Sequence, residues 1–349
     1  MPIEFNSTNY IAQASERKQV EGHMRVCLKI DAAFESMVTV SASEPILAEA
    51  AYFVMAQNFF NASVHFKSVL EGFAVHKGER GEFVTILLLT LARDAAVGPP
   101  GSDGRPKNSR AFDLASFICG YLFRRSIKPE YFDFDSREAL GRLQEDFPRA
   151  VMHFNHFIKL HDFKSIDKES LLLRMSRGAG VLCANNHSYI DVINVFLRSG
   201  TKLGINNFGL VLYQIKNDSH YTHIPKLELF SGMDPYELRI LKPEDPPVPV
   251  IRIFFALAAR TPCLNVTRHD PATDKNYKAV TYDIWCAGLS PEVLSPIDAS
   301  YAHIWGTLLQ ASYGWQELFK ADTDEERNLR RSMNPGAASD DGHWSRWVF

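Results

Sequence analysis

The spacing of apolar and polar positions along the 349 residues separates a helical first part, a strand-rich middle and a closing helix. EPILAEAAYFVMAQNFFNASVHFKSVL, residues 44 to 70, is rich in Ala, Leu, Met and Phe with no internal Gly and no Pro after its start, and predicts one or two helices. GERGEFVTILLLTLARDAA predicts a stronger helix from Glu79 to Ala96, stopped by VGPPGSDGRPKNSR, an exposed Gly/Pro/Ser loop. AFDLASFICGYLFRRS and DFPRAVMHFNHFIKLHDF read as further helices, the second with a strand between helical flanks as the alternative. The pattern then changes. AGVLCANN, IDVINVFLR and GLVLYQIKN are short Val/Ile/Leu runs separated by Asn, Ser and Gly, and predict consecutive strands. SHYTHIPKLELF is ambiguous and admits a helix, VPVIRIFFALA and VTYDIWCAGL predict buried strands, and ASYAHIWGTLLQASY a closing helix. A charged, then Gly/Ser/Asp-rich tail from Ala321 is expected to be loosely held. Strands and helices do not alternate strictly, which argues for an α/β sandwich around a mixed central sheet and against a Rossmann chain.

One strand breaks its own pattern. Leu210 to Tyr213 is apolar on both faces, yet Gln214 and Lys216 follow, and side-chain alternation points these two to the same face. An amide and an ammonium in a buried strand are costly unless something nearby needs them. Asp191 opens the preceding strand. If the two strands are antiparallel neighbours joined by SGTKLGINNF, Asp191 and Lys216 lie at the same end of the sheet. The long helix offers Glu79 and Glu82 just ahead of the apolar run Phe83 to Leu89; Glu82 shares a face with Ile86, Leu89 and Arg93 and is preferred as the inward residue. Two carboxylates, an amide oxygen and a lysine aimed at one point suit phosphodiester hydrolysis. Mg²⁺ takes oxygen ligands and keeps several waters, and a lysine positions a water or neutralises developing charge.

Composition restricts the partners. A net charge of -3 leaves no global basic field, so any nucleic-acid contact must rest on local cations. Arg105, Lys107 and Arg110, the pair Arg124 and Arg125, and Arg327, Arg330 and Arg331 are the local groups, most of them expected to be solvated surface. Five scattered cysteines without a C-x-x-C pair argue against a disulfide framework or structural zinc and for a reducing compartment. The N-terminus lacks the features of a signal peptide and FVTILLLTLA and IRIFFALAA are too short to span a bilayer, so the expectation is an intracellular protein without a membrane partner, with a nuclear location fitting a DNA enzyme.

Glu82, Asp191, Gln214 and Lys216 together resemble the PD-(D/E)XK nuclease superfamily, in which a helix glutamate precedes strands carrying Asp and then (Glu/Asp/Gln)-x-Lys. SEPILAEAA, GERGEFVTILLLTLARDA and YQIKND further resemble fungal, chiefly basidiomycete, proteins akin to Crinkler and retrotransposon-hotspot proteins, from about Ser43 to the strand near Cys286. The resemblance implies a restriction-endonuclease-like α/β sandwich, a mixed central sheet flanked by helices with additional N-terminal helices. Its expected parts are an N-terminal helical extension over residues 1–70, a nuclease-like core over 71–290, and a C-terminal helix with a loose tail over 291–349. It implies Mg²⁺ or Mn²⁺ held by Asp191, Gln214 and Glu82, with Lys216 orienting the water, and DNA as substrate. Two departures stand out. Ile190 occupies a position where proline, not a ligand, is common, and Gln214 brings no charge where an acid is usual. A catalytically inactive version of the fold that binds nucleic acid or a protein partner is therefore the alternative. No G-x-x-x-x-G-K-[ST] is present, so no ATPase function is carried over.

Other motifs weigh less. His153, His156 and His161 lack a matching cysteine or acid set and read as packed histidines; His220 and His223 follow shortly after the lysine, with a phosphate contact the less favoured reading. His187 lies close to Asp191 in sequence and is an auxiliary candidate. RGAG at Arg177 to Gly180 is a turn, and Cys183 with His187 is a thin basis for a thiol nucleophile. A small-molecule enzyme built on the histidines has no coherent motif and ranks last.

Overall fold

The computed structural model describes residue 20 and residues 25–30, 37–41, 43–56, 60–71, 77–98, 110–160, 162–184, 189–200 and 202–310. The two expected helices are α1 (Glu44–Met55) and α2 (Ala62–Glu71), and the strong helix is α3 (Lys77–Val97). Ahead of them stands an antiparallel pair, β1 (Arg25–Ile30) and β2 (Met37–Ser41), where residues 1–70 are expected to be helical. Helix α3 ends as the chain enters Gly98 at φ 75°, a left-handed conformation that glycine adopts without a Cβ penalty.

Two segments read as helical differ from that reading. AFDLASFICGYLFRRS contains the short strand β3 (Phe112–Asp113), one α-turn (Leu114–Ser116) and a π-helix (Phe117–Leu122). DFPRAVMHFNHFIKLHDF takes its strand alternative as β4 (Val151–Met152) and β5 (His156–Lys159). Of the aromatics responsible for the apparent helical period, Phe154 packs edge to face with Phe112 and Phe117 instead, and Phe157 packs at a tilt against Phe154. Helices α4 (Phe134–Gly141) and α6 (Lys168–Ser176) follow aspartate N-caps more than any apolar period, Asp133 and Asp167 accepting from Ser136 and Ser170 backbone N–H groups; the short α5 (Leu143–Asp146) follows α4 directly.

The expected strands form a meander. They are β6 (Ala179–Leu182), β7 (Val192–Leu197) and β8 (Phe208–Lys216), with β6–β7 and β7–β8 antiparallel. SHYTHIPKLELF is helical only over α7 (Glu228–Ser231). Strands β9 (Val250–Ala256) and β11 (Thr281–Ala287) are those expected, and between them in sequence lies β10 (Cys263–His269), whose half-exposed pattern escaped the sequence reading. The closing helix is α8 (Ala302–Gln310); the tail from Ala321 lies outside the described residues.

Nine strands make one mixed sheet in the order β10-β11-β9-β8-β7-β4-β3, with β6 pairing the other half of β7's edge and β5 pairing β6. β8 runs parallel to β9 and β9 to β11, while β10 closes antiparallel on β11. One hydrophobic core lies on each side. Val211, Tyr213 and Ile215 of β8 join Val84 and Leu88 of α3, the π-helix and Trp305 of α8; Leu210 and Leu212 join Leu171 of α6 and Phe230 of α7. The molecule is thus a mixed sheet flanked by helices. Among the described residues no helix is long and apolar enough to cross a membrane.

Two ion clusters, one half-buried and one buried, fix the layers. Glu49 of α1 pairs with Arg93 of α3 and with Arg110, and accepts from Asn155 Nδ2 at 2.9 Å, so the N-terminal helix is tied to the core. On the sheet itself Arg252 and Asp283 are cross-strand neighbours that form a bidentate pair, Nε–Oδ1 2.5 Å and Nη2–Oδ2 2.8 Å, both about 6% exposed, and His269 Nε2 lies 2.9 Å from the same carboxylate. Removing one partner strands a buried charge. Asp283→Ala is expected to lower stability by about 3–5 kcal/mol, measured from urea unfolding midpoints. The double change Arg252→Met, Asp283→Leu should cost much less, because no charge is then left unpaired.

Candidate active site

The strongest polar cluster in the described residues sits where β8 runs out. Every residue of β8 from Phe208 to Ile215 is buried, and Lys216, its last residue, is half-buried. The chain is held there by its neighbours. Leu257 N–H donates to the Lys216 carbonyl at 2.9 Å, and Asn217 Nδ2 donates to the carbonyls of Lys77 (3.0 Å) and Leu309 (3.2 Å). The first turn of α3, the end of α8 and the end of β8 are therefore pinned together by one side chain. Gly81 allows this approach: a Cβ there would lie 3.0 Å from Asn217 Cβ and 3.3 Å from Ile215 Cγ2. The residue after this glycine is Glu82.

Asp191 arrives from the other strand. Val192 pairs with Tyr213 in antiparallel register, so Asp191, one step further out, stands opposite Gln214. Its backbone N–H donates to Tyr213 O at 2.8 Å and its Oδ2 accepts from Ile215 N–H at 2.6 Å. The carboxylate is thus locked between Gln214 and Lys216 by the backbone of the residue separating them. Gln214 is 4% exposed, and its Oε1 has no hydrogen-bond partner. An orphaned acceptor at such depth is a site that a donor or cation would satisfy.

Electrostatics tie Glu82 to the same place. Its carboxyl is raised to about 7, by burial first and the Asp191 charge next, with Lys159 and then Lys216 opposing the rise. Burial likewise raises Asp191 to about 6 against the pull of Lys216 and the Ile215 N–H. Of the two helix glutamates, Glu82 is the one coupled to Asp191 and Lys216, while Glu79 pairs with Lys159 Nζ at 3.9 Å. Lys159, at the end of β5, was missed in the sequence because its segment reads as a histidine-rich helix. Only the pairing of β5 with β6 carries it to this end of the sheet.

The remaining candidates fall elsewhere. Burial, with Asp191 and Glu82 adding, pushes the Cys183 thiol well up, which is opposite to what a thiolate nucleophile needs. His187 and His161 lie outside the described residues. His153, half-buried, has Nδ1 3.0 Å from Met175 O, and His156, buried against Asn155, is pushed down to about 4 by burial, so both are packed histidines. His220 pairs with Asp218 on the surface at 2.7 Å. Arg110 is engaged by Glu49, and Arg124 donates to the carbonyls of Pro291 and Ile297. Arg105, Lys107, Arg327, Arg330 and Arg331 lie outside the described residues. Among the described residues no group of three or more His, Cys, Asp and Glu side chains is arranged to hold a metal ion. The set at β8 has two such carboxylates, the third oxygen being an amide.

The protein is a mixed α/β domain with a half-buried carboxylate–lysine cluster at one end of its sheet. The chain belongs to the family described as Domain of unknown function (DUF8736), whose model matches residues 7–226 and so includes Glu82, Asp191, Gln214 and Lys216. No curated protein and no solved structure matches the chain significantly.

A carboxyl whose folded pKa lies above its unfolded value binds protons on folding. The stability associated with Glu82 is therefore full at acid pH and declines as pH rises from about 4.5 to about 7. Glu82→Gln is expected to raise the melting temperature by about 2–4 °C at pH 8 and to leave it nearly unchanged at pH 4, as read by thermal scans. Lys159→Met, which removes an opposing cation, should shift the Glu82 carboxyl titration further upward in a ¹³C NMR experiment; a downward shift would disprove the coupling.

Proposed function

We propose that this protein is a divalent-metal-dependent nuclease of restriction-endonuclease-like type, hydrolysing DNA phosphodiester bonds at Glu82, Asp191, Gln214 and Lys216. The observation that carries the reading is the convergence of a helix glutamate and a strand aspartate, both raised by burial and both opposed by one lysine, at the end of β8. Two carboxyls whose charged forms are disfavoured by burial are held at a cost that a cation would offset. The orphaned Gln214 Oε1 adds a third hard oxygen in the same register.

Asp191, Glu82 and Gln214 would hold Mg²⁺ or Mn²⁺, the carboxylates supplying the charge and the amide a neutral oxygen. When bound, such an ion polarises a phosphate and lowers the pKa of water. The protein's own contributions are then distinct. The Ile215 N–H fixes the Asp191 carboxylate, Asn217 and Gly81 keep α3 against β8, and Lys216 presents its ammonium to a nucleophilic water or to the phosphate oxygens. Lys159 adds a second positive charge near Glu82.

The neutral Gln214 supports a second reading, a silent domain of the same architecture that binds nucleic acid or protein. Nicking of supercoiled plasmid with Mg²⁺ or Mn²⁺ separates the two. The unaltered protein is expected to cleave, and Asp191→Ala and Lys216→Ala to lower the rate at least about 100-fold with the fold retained by circular dichroism. An unaltered protein that cleaves nothing with either metal, and binds neither metal in an Asp191-dependent way by calorimetry, supports the silent reading instead.

A further inference from the structure

Tyr189 is one of two non-glycine residues with positive φ among the described residues, at 72°. That conformation is unfavourable for a side chain carrying a Cβ, and it persists only where the surroundings hold it. Here the holder is Gly232, just past α7. A Cβ at that position would lie 2.1 Å from Tyr189 Cδ1 and 2.5 Å from its Cγ, so the ring rests directly on bare glycine backbone. The ring is seated yet not covered: Tyr189 remains 45% exposed. Next in sequence Ile190 is fully buried, and then comes Asp191. One residue, Ile190, separates the aromatic from the carboxylate, so their Cα atoms lie within about 7 Å.

A strained, rigidly seated, half-exposed aromatic ring beside a half-buried carboxylate site has little packing purpose, since a buried residue or glycine would serve the fold better. We infer that Tyr189 is a stacking platform for an unpaired nucleobase, and that the strand presented to the site is single-stranded next to the scissile phosphate. The inference rests on the nuclease reading of that site. The charge distribution favours it over a duplex. Tracking a duplex requires many phosphate contacts, whereas the chain carries a net charge of -3 and the cations at the site are Lys216 and Lys159. Stacking needs no cation and tolerates any base. In a duplex the base faces are occupied by their neighbours, so only a splayed or single-stranded base offers one to Tyr189.

The test is fluorescence anisotropy of the full chain with a labelled single-stranded DNA oligonucleotide and its duplex, in EDTA to prevent turnover, alongside metal-dependent plasmid nicking. Tyr189→Ala and Tyr189→Gly are expected to weaken single-strand binding about tenfold and leave duplex binding unchanged, while Tyr189→Phe retains it. Gly232→Ala should mimic Tyr189→Ala by evicting the ring without altering it. Tyr189→Gly should also melt higher than the unaltered protein, because glycine relieves the positive φ; a residue serving only the fold would not gain stability and lose affinity together. Single-strand binding unaffected by Tyr189→Ala, or equal losses on both DNAs, overturns the inference. If nicking that depends on Asp191 persists in that case, the nuclease reading stands alone. Absence of both nicking and DNA binding in the unaltered protein overturns the two together.

Discussion

Burial of both faces of β8 is the constraint on which the site depends. Helices and strands pack on either side of it from Phe208 to Ile215, so a polar side chain finds relief only where the strand ends. That end is shut by three elements at once, through Asn217's two hydrogen bonds to α3 and α8 and the close contact at Gly81. Carboxyl groups brought there are neither in water nor in the apolar interior. They acquire raised proton affinities from the low-dielectric setting, Glu82 also from the Asp191 charge, and the lysines moderate the effect.

The same geometry sets stability against chemistry. Half-buried carboxylates with raised proton affinity destabilise the fold above their unfolded pKa values, a cost that serves no packing purpose at Glu82 or Asp191. Arg252 and Asp283 show the contrasting solution on the same sheet: a buried carboxylate fully engaged by a bidentate guanidinium and a histidine, with no free valence to offer a ligand. An engaged pair holds the sheet together, and an incompletely satisfied cluster is where a ligand can be recognised.

The family match ends at Lys226, but the sheet does not. β9 pairs with β8 from Leu210 to Lys216, and β11 and β10 extend it further. Without β9, β8 would be an exposed edge and Gln214 and Lys216 would lose one wall. The strands beyond the matched segment therefore belong to the structural unit that encloses the candidate site.

Much of this was legible in the chain. Apolar runs bounded by Gly, Asn and Pro located α1 to α3, β6 to β9, β11 and α8, because strongly periodic or wholly apolar segments have few ways to hide their surface. The polar interruption at Gln214 and Lys216 pointed to a strand end, since alternation along a strand is a local property. Other features were not legible, among them the β1–β2 pair, β3 and the π-helix. The strands β4 and β5 were masked by aromatics at helix-like spacing, and β10 by its half-exposed pattern, so their assignment waited on partners distant in sequence. Lys159 joined the cluster only through the pairing of β5 with β6. The seat of Tyr189 on Gly232 joins residues whose sequence spacing carries no signal. Sequence by itself determined which residues must be buried and which carry chemistry, because hydrophobicity and functional groups are properties of single side chains. Tertiary structure decided which of those groups meet and how far burial shifts their protons, because proximity and dielectric arise only when separate elements close on one another.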